Sequence, residues 1–116
     1  MKNGPFHKRL GFAVTGVAEG WRNERSFRLH ILIALGTIAG LCWLQPAPIW
    51  WAIILLTIGM VLALELINGA MEALIDHLHP DIHPRIRVVK DMAAGAVLIM
   101  AMTSMVMAAL VVLDWL

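Results

Sequence analysis

The sequence contains few charges and a single cysteine. Charged residues make up 15% of the 116-residue chain and hydrophobic residues 60%, whereas soluble domains average about 25% and about 45–50% respectively. A water-soluble fold of this size could not bury so much apolar surface. The lone Cys42 excludes an internal disulfide, so it does not indicate a redox compartment. The composition predicts a membrane protein.

The sequence also lacks the glycine-rich loops that commonly bind phosphate groups. Neither the Gly-x-x-x-x-Gly-Lys-Ser/Thr pattern nor the glycine loop of protein kinases occurs. A nucleotide site in this chain would therefore be built from side chains carried on helices. No internal repeat, low-complexity tract or long linker divides the sequence. We expect a single membrane-embedded domain over residues 1–116.

Three apolar runs predict an all-α membrane protein with three transmembrane helices, over about residues 28–45, 48–76 and 89–114. The runs are close to or longer than the length of about 20 residues that a spanning helix usually needs. Within lipid the backbone must satisfy its hydrogen bonds internally, so each run should be helical.

An N-terminal amphipathic surface helix is predicted ahead of the first span, over about residues 6–22. Apolar residues recur there every three or four positions, which is one stripe of a helix. They are Phe6, Leu10, Ala13, Val14, Val17 and Trp21. We expect this helix to lie in the membrane interface. Packing against the helix bundle is the alternative, and the two are compatible.

The nine Lys and Arg residues are confined to two parts of the chain. They are Lys2, Lys8, Arg9, Arg22, Arg25 and Arg28, followed by Arg85, Arg87 and Lys90. The turn at residues 45–48 has no charge. Because basic residues in short loops stay on the cytoplasmic side, we expect a cytoplasmic N-terminus, a cytoplasmic loop at residues 77–90 and a C-terminus on the opposite side.

Polar side chains cluster on one face of the second predicted span. Glu65, Asn68, Glu72 and Asp76 lie within about 80° of one another when projected on a helix. An acidic group at membrane depth is costly and usually marks a functional site. The alternative is the solvated end of a helix leaving the bilayer. That alternative suits Asp76 but not Glu65, which is deeper by about two turns.

Further charged residues are expected at the same membrane surface. Lys90 and Asp91 open the third span, and Glu24 precedes the first. Carboxylates, an amide and a lysine together suit phosphate and Mg²⁺ binding, because Mg²⁺ takes oxygen ligands from one or two carboxylates and from substrate phosphates. Ordinary interface charges are the alternative explanation for Glu24 and Lys90.

Three histidines lie in the predicted cytoplasmic loop, at His77, His79 and His83. Their spacing could bind a transition metal. Solvated loop histidines flanked by prolines are the commoner explanation, and their role stays open.

The segment from Glu65 to Asp76 resembles the signature of the small prokaryotic diacylglycerol kinases, a family that also includes the undecaprenol kinases. That signature reads Glu, two apolar residues, Asn, Ser or Thr, a small residue, an apolar residue, Glu, three residues and Asp. The pairs at residues 23–24 and 90–91 agree as well, so the resemblance covers essentially the whole chain. One departure is Gly69, which occupies the usual hydroxyl position. We expect Gly69→Ser to be tolerated.

This resemblance implies a homotrimer in the prokaryotic cytoplasmic (inner) membrane, with sites formed between neighbouring subunits. It implies Mg²⁺-dependent transfer of the γ-phosphoryl group of ATP to the terminal hydroxyl of a membrane lipid. Diacylglycerol and undecaprenol both remain open as the acceptor. The implied roles are Glu65 as general base, Asn68 orienting Glu65 or the substrate, Glu24 and Glu72 as metal ligands, and Lys90, Asp91 and Asp76 on the nucleotide side.

General chemistry agrees with these implied residue roles. Phosphoryl transfer needs positioning and neutralisation of negative charge. Glu65 lies seven residues deeper than Glu72, or about 10 Å along a helix, and the lipid alcohol comes from the bilayer. Two alternatives belong to other classes. A small proton-coupled transporter would use Glu65 without the accompanying residues, and a structural subunit would need no buried acidic face.

Overall fold

The computed structural model describes residues 4–81 and 83–116, and it is built from four helices. They are α1 (Phe6–Asn23), α2 (Arg25–Leu44), α3 (Pro48–Leu78) and α4 (Pro84–Trp115). The described residues contain no strand. The all-α prediction is therefore confirmed.

Local sequence accounts for the helix boundaries. Pro48 and Pro84 occupy first-turn positions of α3 and α4, where a missing N–H costs nothing because that donor has no partner within a helix. Helix α2 ends at Leu44, and the following residue, Gln45, has a φ of 50° in the left-handed region that commonly terminates helices. Between α1 and α2 the only break is Glu24, which is extended at φ −109° and ψ 105°.

Helices α2, α3 and α4 are each long and apolar enough to cross a membrane. The prediction of three spans is confirmed, and the chain is a multi-pass membrane protein. The three spanning helices alternate in direction. The start of α2, the end of α3 and the start of α4 therefore meet at one end of the bundle. We call this the loop end. The opposite end of the bundle, which contains the turn between α2 and α3, is called the turn end.

The best-packed core lies at the turn end. Leu41, Ile54 and Val111 are buried together there, one from each spanning helix. The indole Nε1 of Trp50 donates a hydrogen bond to Asp114 Oδ2 at 2.9 Å, which ties the start of α3 to the end of α4. Most other apolar side chains point outward, as expected where lipid rather than water is the solvent.

Helix α1 packs against the spanning helices near its C-terminal end. Gly20 is buried against the side chains of Leu66 and Phe27. The guanidinium of Arg28 donates to the main-chain carbonyls of Trp21 and Arg22, at 2.8 and 3.0 Å. These contacts fix the place where α1 turns into α2. The predicted apolar stripe along the rest of α1 is exposed in the single chain.

Candidate functional site

The polar face predicted on the second span lies on one unbroken helix, because α3 continues from Pro48 to Leu78. Burial decreases along this face towards the loop end. Glu65 is only 4% exposed, Asn68 and Glu72 are half-buried, and Asp76 is exposed. A buried carboxylate without a partner would be costly, so the surroundings of Glu65 decide what this face can do.

The partner of Glu65 is His30, which the sequence did not identify as a site residue. The Nδ1 atom of His30 lies 2.6 Å from Glu65 Oε1, and both side chains are mostly enclosed. The same Nδ1 atom is 3.1 Å from the main-chain carbonyl of Ser26. A sequence signal was present, since an ionisable side chain inside an apolar run is uncommon. Only the packing of α2 on α3 shows which partner it meets.

Glu24 reaches α3 from the junction between α1 and α2. A Cβ atom built on Gly69 would stand 2.8 Å from both the Glu24 carboxyl carbon and its Oε1. The carboxylate of Glu24 therefore lies against α3 in the space that a side chain at position 69 would need. Glu72 follows Gly69 by three residues on the same helical face, and residues at that spacing are neighbours. The structure thus brings Glu24 to the acidic face beside Glu72.

Asn68 presents an unsatisfied polar atom on this face. Its side-chain oxygen Oδ1 is buried and accepts no hydrogen bond from the described residues. Buried polar atoms are rarely left without a partner. The amide oxygen is therefore available to a donor or cation brought by a ligand. It makes no hydrogen bond to Glu65 in the described part of the chain.

Lys90 and Asp76 meet at the loop end, where the Nζ of Lys90 lies 2.5 Å from Asp76 Oδ1. Lys90 also lines a cleft of about 240 Å³. The charged and polar side chains of that cleft are His79, Asp81, Arg87, Lys90 and Asp91. The three residues predicted for the nucleotide side, Asp76, Lys90 and Asp91, thus share one end of the bundle with Glu24 and Glu72.

A second cleft, of about 210 Å³, runs between α2, α3 and α4. We call it the span cleft. His30 and Leu62 line it at the level nearest Glu65, and Ile54 and Ala108 line it towards the turn end. Its lining is mainly apolar, with hydroxyl groups from Thr37, Thr57 and Ser104. Glu65 and His30 therefore lie between an apolar cleft within the membrane span and the charged loop end.

Comparison with known proteins identifies the family. The sequence profile described as prokaryotic diacylglycerol kinase matches residues 11–112. The chain belongs to the prokaryotic diacylglycerol kinase family. The match covers α2, α3, most of α4 and every residue of the polar face.

The curated relatives carry two names. An undecaprenol kinase of Bacillus subtilis (strain 168) is 35% identical over 108 residues, covering 93% of this chain and 88% of the relative. A diacylglycerol kinase of Escherichia coli (strain K12) is 30% identical over 92 residues, covering 79% and 75%. A diacylglycerol kinase of Synechocystis sp. is 32% identical over 96 residues, covering 82% and 55%. The chain is accordingly a lipid kinase, which decides against the transporter and structural-subunit alternatives.

The donor set of this lipid kinase fits Mg²⁺ better than a transition metal. Among residues 4–81 and 83–116, no three His, Cys, Asp or Glu side chains converge to hold a metal ion. A closed transition-metal site needs about four protein ligands. Mg²⁺ commonly takes one or two carboxylates and completes its shell with water and substrate phosphates. Glu24 and Glu72 supply carboxylates of that kind.

Proposed function

We propose that this lipid kinase transfers the γ-phosphoryl group of ATP to the terminal hydroxyl of a membrane lipid, with Mg²⁺ as the cofactor. The observation that carries the proposal is the arrangement around Glu65. This carboxylate is buried at membrane depth beside the span cleft, whereas Glu24, Glu72 and Lys90 lie towards the charged loop end. A lipid alcohol and a water-soluble nucleotide would approach such a site from opposite directions.

Glu65 acts as the general base. As the lipid hydroxyl oxygen attacks the γ-phosphorus, its proton passes to the Glu65 carboxylate, and the bond from the γ-phosphorus to the bridging oxygen of ADP breaks. A carboxylate within hydrogen-bond reach of a hydroxyl can accept its proton in this way. The depth of Glu65 is supported by its position about 10 Å along α3 from Glu72.

Asn68 orients the reacting groups. Asn68 lies between Glu65 and Glu72 on the α3 face, and its side-chain amide can donate a hydrogen bond to the lipid hydroxyl oxygen, which leaves the hydroxyl hydrogen free for Glu65. In that position it would hold the hydroxyl against Glu65. Correct placement of two reacting groups contributes strongly to rate enhancement.

Glu24 and Glu72 are the proposed metal ligands, and Lys90, Asp91 and Asp76 are placed on the nucleotide side. When bound, Mg²⁺ supplies neutralisation of the negative charge on the transferring phosphoryl group. Lys90 can contact phosphate oxygens, and its ion pair with Asp76 fixes the direction of its flexible side chain. The Asp76 side chain is exposed and that of Lys90 is partly exposed, so the ammonium can still be reached by a ligand from the cytoplasm.

The proposed assembly is a homotrimer in the prokaryotic inner membrane, with the N-terminus and the loop end in the cytoplasm. The distribution of Lys and Arg supports this orientation. The apolar stripe of α1 is exposed in the single chain and would rest in the cytoplasmic membrane interface. The outward-facing side chains of α4, such as Ile99 and Met105, would contact lipid or neighbouring subunits.

Two acceptors follow from the names of the relatives, undecaprenol and diacylglycerol. Each presents a hydroxyl at the membrane interface on an apolar anchor, so the polar site suits both. The span cleft can receive part of such an anchor next to Glu65. We therefore treat the primary alcohol of a membrane lipid as the acceptor class.

The proposal is tested by a transfer assay in mixed micelles. Purified wild-type protein is given ATP labelled at the γ-phosphate, with diacylglycerol or undecaprenol, in Mg²⁺ or in a chelator. We expect label on at least one lipid, and only when Mg²⁺ is present. Folded protein that labels neither lipid, or that labels one equally well in the chelator, would contradict the proposal.

A further inference from the structure

We propose that His30 is a positioning residue that holds the Glu65 carboxylate in the orientation needed to accept the proton of the lipid hydroxyl. This inference rests on the proposed function, because it assigns a role to the neighbour of the proposed base. His30 comes from α2 and Glu65 from α3, so the pair also links two of the spans at the depth of the reaction.

The contacts of His30 determine which ring nitrogen carries hydrogen. Nδ1 lies 2.6 Å from Glu65 Oε1 and 3.1 Å from the carbonyl oxygen of Ser26. Both neighbours are hydrogen-bond acceptors when Glu65 is ionised. Nδ1 must therefore carry a hydrogen atom when Glu65 is ionised, because a bare lone pair there would face two oxygen atoms. Its hydrogen bond goes to the Ser26 carbonyl, which keeps the imidazole ring in a fixed rotamer on α2 with Nδ1 against Glu65 Oε1.

The contact engages only one of the two carboxylate oxygens. Oε1 of Glu65 is the oxygen that lies against His30 Nδ1, at 2.6 Å. Oε2 makes no hydrogen bond to the residues that the structure describes, so it remains free for the lipid hydroxyl. A glutamate side chain has three rotatable bonds, and close contact of Oε1 with a ring that Ser26 holds in place reduces the orientations open to Oε2. The base is thereby presented in one geometry.

The surroundings place this pair where the lipid would enter. His30 lines the span cleft at its level nearest Glu65, and its side chain keeps 23% exposure while that of Glu65 keeps only 5%. An approaching hydroxyl therefore meets His30 and Glu65 together. Filling of space between α2 and α3 is the competing role for the ring, and it would be served equally by an apolar side chain of similar size.

Two substitutions separate positioning from packing. His30→Asn keeps an N–H donor at the position of Nδ1, because the Asn Nδ2 atom is attached at the same point of the side chain. His30→Leu keeps apolar bulk and removes the donor. Thr103→Val is the control, since Thr103 lies on α4, is not among the residues that line the span cleft and donates its hydroxyl hydrogen to the Ile99 carbonyl of its own helix.

The three variants and the wild type are compared for kcat, for the KM values of ATP and lipid, and for thermal unfolding. We expect His30→Leu to lower kcat by about 100-fold, the loss typical of a small misplacement of reacting groups, with the KM of ATP unchanged. His30→Asn should recover most of this loss. Thr103→Val should match the wild type.

The inference is overturned if His30→Leu keeps wild-type kcat, or if His30→Asn is no better than His30→Leu while both proteins remain folded. Should His30→Leu fail to fold, the decision rests on His30→Asn, which must then retain kcat near that of the wild type. A failure of the proposed function looks different, because the wild type itself would then transfer no label to lipid.

Discussion

At the scale of single residues, one face of α3 changes from a buried to an exposed environment within a few turns. Glu65 is enclosed and paired with an imidazole, whereas Asp76 is exposed and paired with an ammonium. We propose that the same residue chemistry serves two purposes. A carboxylate in the membrane can take a proton from an alcohol, and one at the loop end can orient a cation that binds phosphate.

Gly69 shows how a departure from the family signature fits the structure. The Glu24 carboxylate occupies the space beside Gly69, so any side chain there requires Glu24 to move. That carboxylate is the far end of a flexible side chain, and its movement need not disturb the backbone. The expectation that Gly69→Ser is tolerated therefore stays a prediction, and it requires the Glu24 carboxylate to move.

We predict that Gly69→Ala raises the Mg²⁺ concentration for half-maximal activity by about tenfold, the lower range for loss of a residue that supports a metal ligand. Gly69→Ser should have a smaller effect, because its hydroxyl can donate to the displaced carboxylate. Mg²⁺ titration of lipid transfer measures both. Gly59→Ala is the control, since no atom of the described residues lies within 4 Å of a Cβ built there. An unchanged Mg²⁺ requirement in Gly69→Ala would argue against Glu24 as a ligand.

At the scale of elements, the junction between α1 and α2 positions Glu24. Phe27 is almost fully buried there, Gly20 packs against it, and Arg28 binds the last carbonyls of α1. A single extended residue joins the two helices. Anything that pushes α1 away from α3 must therefore move the Glu24 carboxylate.

We predict that Gly20→Val impairs both stability and activity. The new side chain would clash with Leu66 and crowd the Phe27 ring, whose Cδ2 atom is 3.3 Å from a Cβ built on Gly20. Overpacking of this kind costs about 1–3 kcal/mol. Thermal unfolding and the transfer assay measure the two effects.

Gly16→Val is the matched control, because it lies one turn earlier on α1 with no described atom within 4 Å of its added Cβ. It introduces the same branched side chain into the same helix. Equal losses from both substitutions would mean that helix propensity, and not the packing of the junction, explains the result.

The elements themselves were predictable from the sequence, but their mutual register was not. The apolar runs predicted three spans close to those observed, because lipid forces each run into a helix. Helical periodicity placed Glu65, Asn68 and Glu72 on one face. The pairing of His30 with Glu65 and the contact of Glu24 with Gly69 depend on how α2 rotates and slides against α3. Sequence spacing along one helix carries no information on that.

At the scale of the whole molecule, a single chain leaves most of its apolar surface uncovered. Helix α4 contributes only Val111 to the buried residues, and large side chains such as Leu98 and Met102 point outward. Lipid can cover these surfaces, and so can neighbouring subunits. The proposed homotrimer would use part of them for contact between copies.

We predict that the purified protein is a trimer in mild detergent, and that activity disappears in parallel with the trimer as detergent is increased. Native mass spectrometry counts the subunits, and the transfer assay follows activity in the same samples. Circular dichroism is the control that the helices persist when the trimer dissociates. Full activity in samples that contain only monomer would contradict a site shared between subunits.

The central claim is that Glu65 takes the proton while Glu24 and Glu72 hold the metal with the nucleotide. A single-turnover measurement tests this most directly. It compares Glu65→Gln with Glu72→Gln, and bound Mg·ATP and labelled lipid are quantified in the same sample. We expect Glu65→Gln to bind Mg·ATP like the wild type but to transfer label about 100-fold more slowly or worse, because a general base is lost. Glu72→Gln should instead lose Mg²⁺-dependent nucleotide binding. Transfer at the wild-type rate by Glu65→Gln would contradict the role of Glu65 as the general base.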